Sequence, residues 1–109
     1  MDEVQSLSLD LVDAKEILPG FHGKFIHSDR MTLAYWSIDE FASLPEHAHP
    51  HEQIVNLLEG KFELTVDGTV HFLKPGDVVV IPGNVPHMGR AITQCRILDV
   101  FQPARDDYR

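Results

Sequence analysis

Residues 54–82 read IVNLLEGKFELTVDGTVHFLKPGDVVVIP, and the fold is decided here. Short apolar runs alternate with glycine-containing turns, and residues 61–66 place their apolar side chains on one face of an extended segment. Asp67-Gly68 suits a two-residue hairpin, because both positions tolerate positive φ. Pro75-Gly76 then turns the chain into a short buried run. This spacing predicts consecutive antiparallel strands.

The same rhythm of strands and turns continues on both sides. Residues 31–38 are rich in β-branched and aromatic side chains, and residues 95–101 read as a strand that ends before Pro103. Roughly seven or eight short strands without a convincing amphipathic helix predict an all-β fold, a single compact antiparallel barrel. Residues 1–30 are expected to form an N-terminal arm or edge strand, and residues 31–109 the domain itself.

The charge balance limits the classes of molecule that the chain can bind. Nine Lys and Arg against seventeen Asp and Glu give a net charge of -8, so the chain offers no basic face for nucleic acid. No apolar run approaches the roughly 20 residues of a membrane-spanning helix, which predicts a soluble protein with no membrane partner. The lone Cys95 has no partner for an internal disulfide, and the N-terminus lacks a secretory signal pattern. We therefore expect a cytoplasmic location.

Seven histidines are present, and three of them fall within residues 47–51. Side chains two apart point the same way in an extended chain, so His47, His49 and Gln53 have the parity to face one side of a sheet. Local spacing alone does not choose between Glu52 and Gln53 as the third ligand. The pair of histidines separated by one residue predicts a metal site, because this spacing has little structural reason to exist.

A distant histidine completes the candidate site. The stiff loop of residues 82–86, PGNVP, holds His87 in a fixed place. Three imidazoles and one amide oxygen suit one divalent transition metal ion, Ni, Zn, Fe, Mn or Co, rather than Ca or Mg. His51 is not expected to bind, because Pro50 breaks the local regularity. The remaining histidines are interpreted as ordinary, partly exposed polar residues: His22, His27 and His71.

The C-terminal segment contains a second group of candidates. Asp99 lies between Ile97 and Phe101 on an otherwise apolar face, and a buried acid needs a reason. It is interpreted as a proton-transfer residue, with turn capping or pairing with Arg96 or Arg105 as the structural alternative. Arg105 is a candidate for binding a carboxylate bidentately, or else a solvated charge. Phe101 belongs to the core unless a sugar ring stacks on it.

Two motifs in this chain resemble those of the small single-domain cupins, jelly-roll barrels with a metal at their mouth. The first, G-x5-H-x-H-x3-E-x6-G, falls on Phe41, His47, His49, Gln53 and Gly60. The second, G-x5-P-x-G-x2-H-x3-N, falls on Gly76, Pro82, Asn84, His87 and Ala91. Phe41 and Asn84 replace glycines, Gln53 replaces the glutamate and Ala91 the asparagine. The resemblance covers residues from about 31 to the C-terminus and implies a cupin jelly-roll β-barrel with His47, His49, Gln53 and His87 as metal ligands.

The pattern LDVFQPARDDY at residues 98–108, together with HAHPHEQ at residues 47–53, is similar to the pectin-degradation cupins of the KdgF type. This resemblance implies an isomerase-like enzyme that opens and ketonises 4,5-unsaturated monouronates from pectin or alginate breakdown into linear keto-uronates. It also implies that Asp99, Phe101 and Arg105 serve substrate binding and catalysis. Small cupins of this kind are commonly homodimers, so a homodimer is expected.

The amide ligand favours an anionic substrate, because neutral ligands leave the full charge of a divalent ion at the site. Two alternatives remain open at this point. One is a three-histidine metal dioxygenase acting on a small chelating substrate. The other is a non-catalytic sugar-binding cupin.

Overall fold

Two antiparallel sheets make up the protein, seen here in a computed structural model that describes residues 3–109. The strands are β1 (Lys15–Leu18), β2 (Phe21–His27), β3 (Thr32–Ile38), β4 (Ser43–His47), β5 (Glu52–Glu59), β6 (Phe62–Val66), β7 (Thr69–Leu73), β8 (Val78–Ile81), β9 (His87–Ala91) and β10 (Cys95–Gln102). Within residues 3–109 the only helical segments are the short 3-10 turns Leu9–Leu11 and Asp106–Tyr108. No helix in this part of the chain has the length and apolar character needed to cross a membrane.

The six-stranded sheet has the order β1-β2-β3-β10-β5-β8, and the four-stranded sheet has the order β4-β9-β6-β7. The chain passes repeatedly from one sheet to the other, so that β8, β9 and β10 lie in the first, second and first sheet. Side chains from both inner faces pack into one core. This is the predicted all-β jelly-roll architecture, and the prediction is confirmed.

The number of strands differs from the prediction, with ten among the described residues instead of seven or eight. The unpredicted strands β2, β4 and β9 contain Gly23, Pro45 and Gly89, residues that are unfavourable in isolated strands. These strands form because they pair with neighbouring strands. β2 pairs with β3 over seven residues, and β4 is an edge strand, where proline is tolerated.

The predicted N-terminal arm, residues 1–30, contains two of the ten strands. β1 lies at the edge of the six-stranded sheet and β2 lies inside it. Met1 and Asp2 lie outside the described residues. The division of the chain at residue 30 stays a prediction.

Positive backbone φ angles occur where the sequence predicts tight turns and also at two positions where the cupin motifs have glycine and this chain does not. Asp67 and Gly68 have φ of 48° and 80°, which confirms the two-residue hairpin. Phe41 and Asn84, which stand where the cupin motifs have glycine, have φ of 67° and 65°. The turns therefore keep the left-handed conformation although glycine is absent, and this conformation is less favourable for phenylalanine than for glycine.

We expect Phe41→Gly to raise the free energy of unfolding by about 0.5–1 kcal/mol, because glycine relieves the left-handed strain and loses only part of that gain to greater freedom in the unfolded chain. The ring is 64% exposed, so little packing is lost. Urea titration measures the change. Phe72→Gly is the matched control, since Phe72 is 75% exposed within strand β7 and its replacement should be destabilising. A Phe41→Gly protein as destabilised as Phe72→Gly would contradict the strain argument.

Candidate metal centre and active site

Three histidines converge at one end of the barrel. His47 ends β4 and His87 begins β9, and the two are paired across the four-stranded sheet with ring centroids 4.2 Å apart. The His49 ring lies 5.7 Å from that of His47 and 5.0 Å from that of His87. One potential ligand atom from each residue lies within 4.8 Å of the others. The structure therefore gathers the three predicted histidines into one cluster.

The loop of residues 82–86 positions two of these histidines together. It leads directly into His87, and the Asn84 backbone N–H donates a 2.7 Å hydrogen bond to the His49 carbonyl oxygen. Gly83 packs so closely against the Pro50 carbonyl that a Cβ atom at residue 83 would collide with it. The loop thus fixes the segment that carries His49 as well as His87.

Each of the three imidazoles is held by a backbone hydrogen bond. Their Nδ1 atoms donate to the carbonyl oxygens of Pro45, His51 and Val85, at 2.9, 3.1 and 2.9 Å respectively. A carbonyl can only accept, so Nδ1 carries the proton and the Nε2 lone pair is left free. The Nε2 atom of His87 is buried and has no hydrogen-bond partner. This arrangement is the one required of metal-binding histidines.

The histidine environments disfavour protonation. Burial lowers the pKa of His49 to about 4, and the positive charge of Arg105 acts in the same direction. Burial also lowers the pKa of His87. Both rings are therefore neutral at physiological pH, the form that binds a metal ion.

Gln53 would complete the donor set from β5, a strand of the other sheet. Its side chain is buried on the inner face of β5, and its Oε1 atom lies 3.1 Å from Nε2 of His49. With the His49 proton on Nδ1, this contact joins two acceptor atoms, which repel unless a cation binds both. Three imidazole nitrogens and one amide oxygen thus fit a divalent transition ion. Glu52, the other local candidate, is exposed on β5.

His51 lies beside the cluster without joining it. Its ring is 5.4 Å from that of His49, and its buried Nδ1 atom has no hydrogen-bond partner. The other histidines lie elsewhere: His22 is 3.5 Å from Asp39, His27 bonds Thr32 and His71 is exposed.

Asp99 reaches the same pocket from β10. It is only 8% exposed, and its Oδ2 atom accepts a 3.0 Å hydrogen bond from the indole N–H of Trp36. Its Oδ1 atom is buried without a partner. Neither Arg96 nor Arg105 forms an ion pair with it among the described contacts, so the alternative pairing is not formed. Asp99 lines the pocket together with His47, His87, Gln53, Phe101, Arg105 and Tyr108.

Burial raises the pKa of Asp99 to about 6, although Gln53, Trp36 and Arg105 all act in the opposite direction. A glutamate at position 53 would add a second carboxylate beside this buried acid. The amide of Gln53 avoids that like-charge repulsion. Glutamine in place of the glutamate of the cupin motif therefore keeps a second negative charge away from Asp99.

The raised pKa predicts that Asp99 makes folding less favourable as pH rises. A carboxyl whose pKa moves from 3.8 to about 6 on folding contributes stability below pH 3.8 that is lost as pH rises through 6. We expect metal-free Asp99→Asn to be more stable than wild type at pH 8, by up to about 3 kcal/mol, and equally stable near pH 3.5. Urea titrations in EDTA at both pH values measure this. A difference between the two proteins that does not change with pH would contradict the raised pKa.

Arg105 is buried at the edge of the pocket. Its guanidinium carbon lies 4.8 Å from the centroid of the Phe101 ring and 4.2 Å from that of Tyr108. Its Nε and Nη2 atoms donate to the two carboxylate oxygens of Asp107 at 3.0 and 2.8 Å. The Nε–Nη2 edge of the guanidinium is therefore already occupied, and only the end-on N–H groups remain for a ligand.

Sequence reasoning missed two pocket residues, Trp36 and Tyr108. Trp36 orients Asp99, and Tyr108 stacks on Phe25 at 4.6 Å between ring centroids while covering Arg105. A signal for Trp36 was available, because a buried acid needs a donor and β3 is a strand with alternating faces. Tyr108 ends the quoted pattern of residues 98–108, but no role was assigned to it, because its place depends on the turn at residues 106–108.

Comparisons with known proteins agree with this geometry. Residues 34–101 match the family model described as Cupin domain. The structure of KdgF from Halomonas sp. is similar, with a TM-score of 0.85 and 30% identity over 89% of this chain and 91% of that one. An RmlC-like cupin from Shewanella frigidimarina has a TM-score of 0.91 and 27% identity, with both chains covered in full.

Two more distant likenesses carry less information. L-ectoine synthase from Hahella chejuensis is 34% identical over 61 residues, which span 54% of this chain and 46% of that relative. The matched stretch is thus under half of the synthase. Salicylate 1,2-dioxygenase from Pseudaminobacter salicylatoxidans has a TM-score of 0.75 at 16% identity, covering 79% of this chain and 27% of that one, which shows a shared fold alone.

Proposed function

This chain belongs to the cupin family, and on that premise we propose that it is a metal-dependent enzyme that opens and ketonises 4,5-unsaturated monouronates. The observation that carries the proposal is Asp99, a buried acid with a free Oδ1 atom in the same pocket as the histidine cluster and Arg105. A proton donor, a metal site and a guanidinium in one pocket suit an anionic substrate that must gain a proton on carbon. The likeness to KdgF from Halomonas sp. supports the same reading.

His47, His49, Gln53 and His87 would hold the ion, which when bound supplies a Lewis acid for substrate oxygens. The three imidazoles and the amide are neutral, so the centre keeps its positive charge and attracts anions. This local charge opposes the overall charge of -8. Because the amide of Gln53 also lies beside Asp99, the ligand and the acid are kept in a fixed relation.

Asp99 is assigned the proton transfer. In the substrate the ring oxygen joins C1 to C5, and C4 and C5 share a double bond. Ring opening breaks the bond from C1 to the ring oxygen and makes C1 an aldehyde as its hydroxyl proton leaves. The ring oxygen becomes the C5 carbonyl when C4 accepts a proton from Oδ1 of Asp99. The proton released from the C1 hydroxyl restores Asp99, so the reaction is an isomerisation. A pKa of about 6 suits a group that both gives and takes a proton.

Arg105 is assigned the substrate carboxylate. Since Asp107 occupies one edge of the guanidinium, the carboxylate binds the end-on N–H groups or displaces Asp107. Phe101, 2% exposed and in contact with Arg105, supplies an apolar wall for the sugar ring. Its ring lies 5.7 Å from that of His49, so the apolar wall adjoins the metal site.

The decisive experiment follows the loss of the unsaturated chromophore when metal-loaded protein is mixed with the product of an exolytic pectin or alginate lyase. We expect decay clearly faster than in buffer, where such enol forms also ketonise unaided. Equal activity with Zn or Ni in anaerobic buffer would exclude the dioxygenase alternative, since those ions perform no oxygen chemistry. No acceleration by protein shown to contain metal would refute the proposal. Saturable binding without any product would instead identify a sugar-binding cupin.

Two sequence-based expectations accompany this function. The proposed substrate is a small sugar acid, which is compatible with the expected cytoplasmic location. The predicted homodimer is compatible with it as well. Both stay predictions.

A further inference from the structure

Arg105 holds an internal carboxylate on one edge of its guanidinium group. Its Nε and Nη2 atoms donate to Oδ1 and Oδ2 of Asp107 at 3.0 and 2.8 Å, so both carboxylate oxygens are bound. This is the bidentate geometry with which a guanidinium recognises a free carboxylate. We propose that Asp107 is a specificity-determining residue, an internal competitor that a ligand carboxylate replaces on Arg105 and that returns when the product leaves. The inference deepens the proposed function and rests on it, because Arg105 is assigned the substrate carboxylate there.

Arg105 is fixed in the pocket by contacts that do not involve Asp107. Its backbone N–H donates to Oγ1 of Thr32 at 2.8 Å, and Thr32 is fully buried in β3. Its guanidinium carbon lies over the rings of Phe101 and Tyr108, at 4.8 and 4.2 Å from their centroids. Cation–π contacts of this kind hold a guanidinium without using its N–H groups. The cation therefore stays in place when its carboxylate partner changes.

Asp107 differs from Arg105 in its access to water. The Asp107 side chain is 57% exposed, whereas that of Arg105 is 10% exposed. A carboxylate that leaves the guanidinium regains its hydration, and an ion pair with one side open to water contributes little to stability. The hydrogen bonds from Arg105 lower the pKa of Asp107, so this residue carries the negative charge that a competing anion needs. The internal carboxylate is therefore both an effective competitor and an easily displaced one.

The backbone around Asp107 is anchored, so that a change of side-chain rotamer is sufficient for the exchange. The Tyr108 backbone N–H donates to the Arg105 carbonyl oxygen at 3.0 Å, which closes the turn of residues 106–108. The Tyr108 ring stacks on Phe25 of β2 with 4.6 Å between the centroids, and this packs the turn against the six-stranded sheet. Tyr108 therefore keeps its place over Arg105 while the Asp107 side chain rotates into water.

Competition at Arg105 selects ligands by their charge. A ligand carboxylate replaces both hydrogen bonds of Asp107, whereas an ester or a hydroxyl group brings no negative charge and leaves Asp107 in place. Among the described residues the ion pair of Arg105 is with Asp107, and Asp99 in the same pocket forms none with it. The product of ring opening keeps its carboxylate, so the return of Asp107 to Arg105 assists product release. The same contact thus sets specificity and limits how tightly the product is held.

The test is direct binding of D-galacturonate, a saturated hexuronate, to the zinc-loaded full chain, measured by calorimetry. Asp107→Asn should lower the dissociation constant about 3–10-fold, the factor expected if Arg105 is unoccupied in roughly 10–30% of wild-type chains. Asparagine offers one neutral oxygen in place of the carboxylate, and the exposure of Asp107 allows this variant to fold. The methyl ester of D-galacturonate carries no charge and should bind wild type and Asp107→Asn equally.

Asp106→Asn is the matched control, because it removes the same charge from the same turn and its carboxylate pairs with Arg109 instead. It should leave the galacturonate affinity unchanged. Unchanged or weaker binding by Asp107→Asn would overturn the competition, and weaker binding would show that Asp107 positions Arg105. Equal tightening by Asp106→Asn, or of the methyl ester, would show a general effect and overturn it too, as would no galacturonate binding by wild type and Asp107→Asn alike.

Binding needs no turnover, so the outcome is separate from that of the proposed function. Tighter galacturonate binding by Asp107→Asn without chromophore loss in wild type would refute the proposed function and support the role of Asp107. Chromophore loss in wild type without that gain in affinity would support the function and overturn the competition.

Discussion

Asp99→Asn is expected to lower turnover of unsaturated monouronates by about 10²–10⁴-fold, the usual contribution of a positioned general acid or base. Asparagine keeps the shape of the side chain and still accepts the Trp36 indole N–H, which donates to Asp99 Oδ2 at 3.0 Å. What it loses is the exchangeable proton at the position of Oδ1. The rate of chromophore loss and the bound metal per chain are to be measured on the same preparation, and the metal content should be unchanged.

Asp106→Asn is the control for this prediction. Asp106 is exposed and pairs with Arg109 at 2.9 Å, outside the pocket, so its replacement should leave turnover intact. Full activity in Asp99→Asn would remove the proton-transfer role. Turnover lost together with metal would instead mean that Asp99 acts by holding Gln53 in place.

His49→Ala is expected to lower metal affinity by at least about 100-fold and to abolish activity. In the proposed donor set the imidazole supplies one of the four donors, and its Nδ1 bond to the His51 carbonyl fixes the direction of the lone pair. Alanine removes the donor and leaves Gln53 Oε1 without its 3.1 Å neighbour. Competition with a coloured chelator measures the affinity, and elemental analysis measures the ion retained after purification without a metal-affinity tag.

The control here is His71→Ala, which removes a histidine that is exposed on β7 and lies outside the cluster. Its metal content should equal that of wild type. If His49→Ala retained a full complement of tightly bound ion, the proposed donor set would be wrong. If both variants lost metal equally, the loss would reflect general histidine content rather than this site.

Asp99 illustrates how function and stability oppose each other in this barrel. Burial of the acid raises its pKa to about 6, and above that pH the folded chain contains a charged group in a largely apolar pocket. An asparagine would be more stable and, on the proposed mechanism, nearly inactive. A site that keeps such a group despite its effect on stability is typical of a catalytic pocket.

Strands with regular alternation were predictable from the sequence, and interrupted ones were not. β6, β7 and β10 follow apolar patterns and turn residues that act within a few positions of each other. β8 was predicted as a buried run, and this was wrong, because it is an edge strand in which Val78 and Val80 are 56% and 58% exposed. β2, β4 and β9 form because a neighbouring strand supplies the hydrogen bonds that their own residues do not favour. The left-handed φ of Phe41 was also beyond local reasoning, because phenylalanine does not favour it.

The sequence by itself determined the all-β class, the spacing of the histidines and the inward parity of Asp99, because these depend on the period of two in an extended chain. Only the tertiary structure decided which atoms meet. It pairs His47 with His87 across two strands and places Gln53 Oε1 against His49 Nε2. It also hydrogen-bonds Asp99 to Trp36 instead of pairing it with an arginine. Such contacts join residues far apart in the chain, so strand register and burial decide them rather than local pattern.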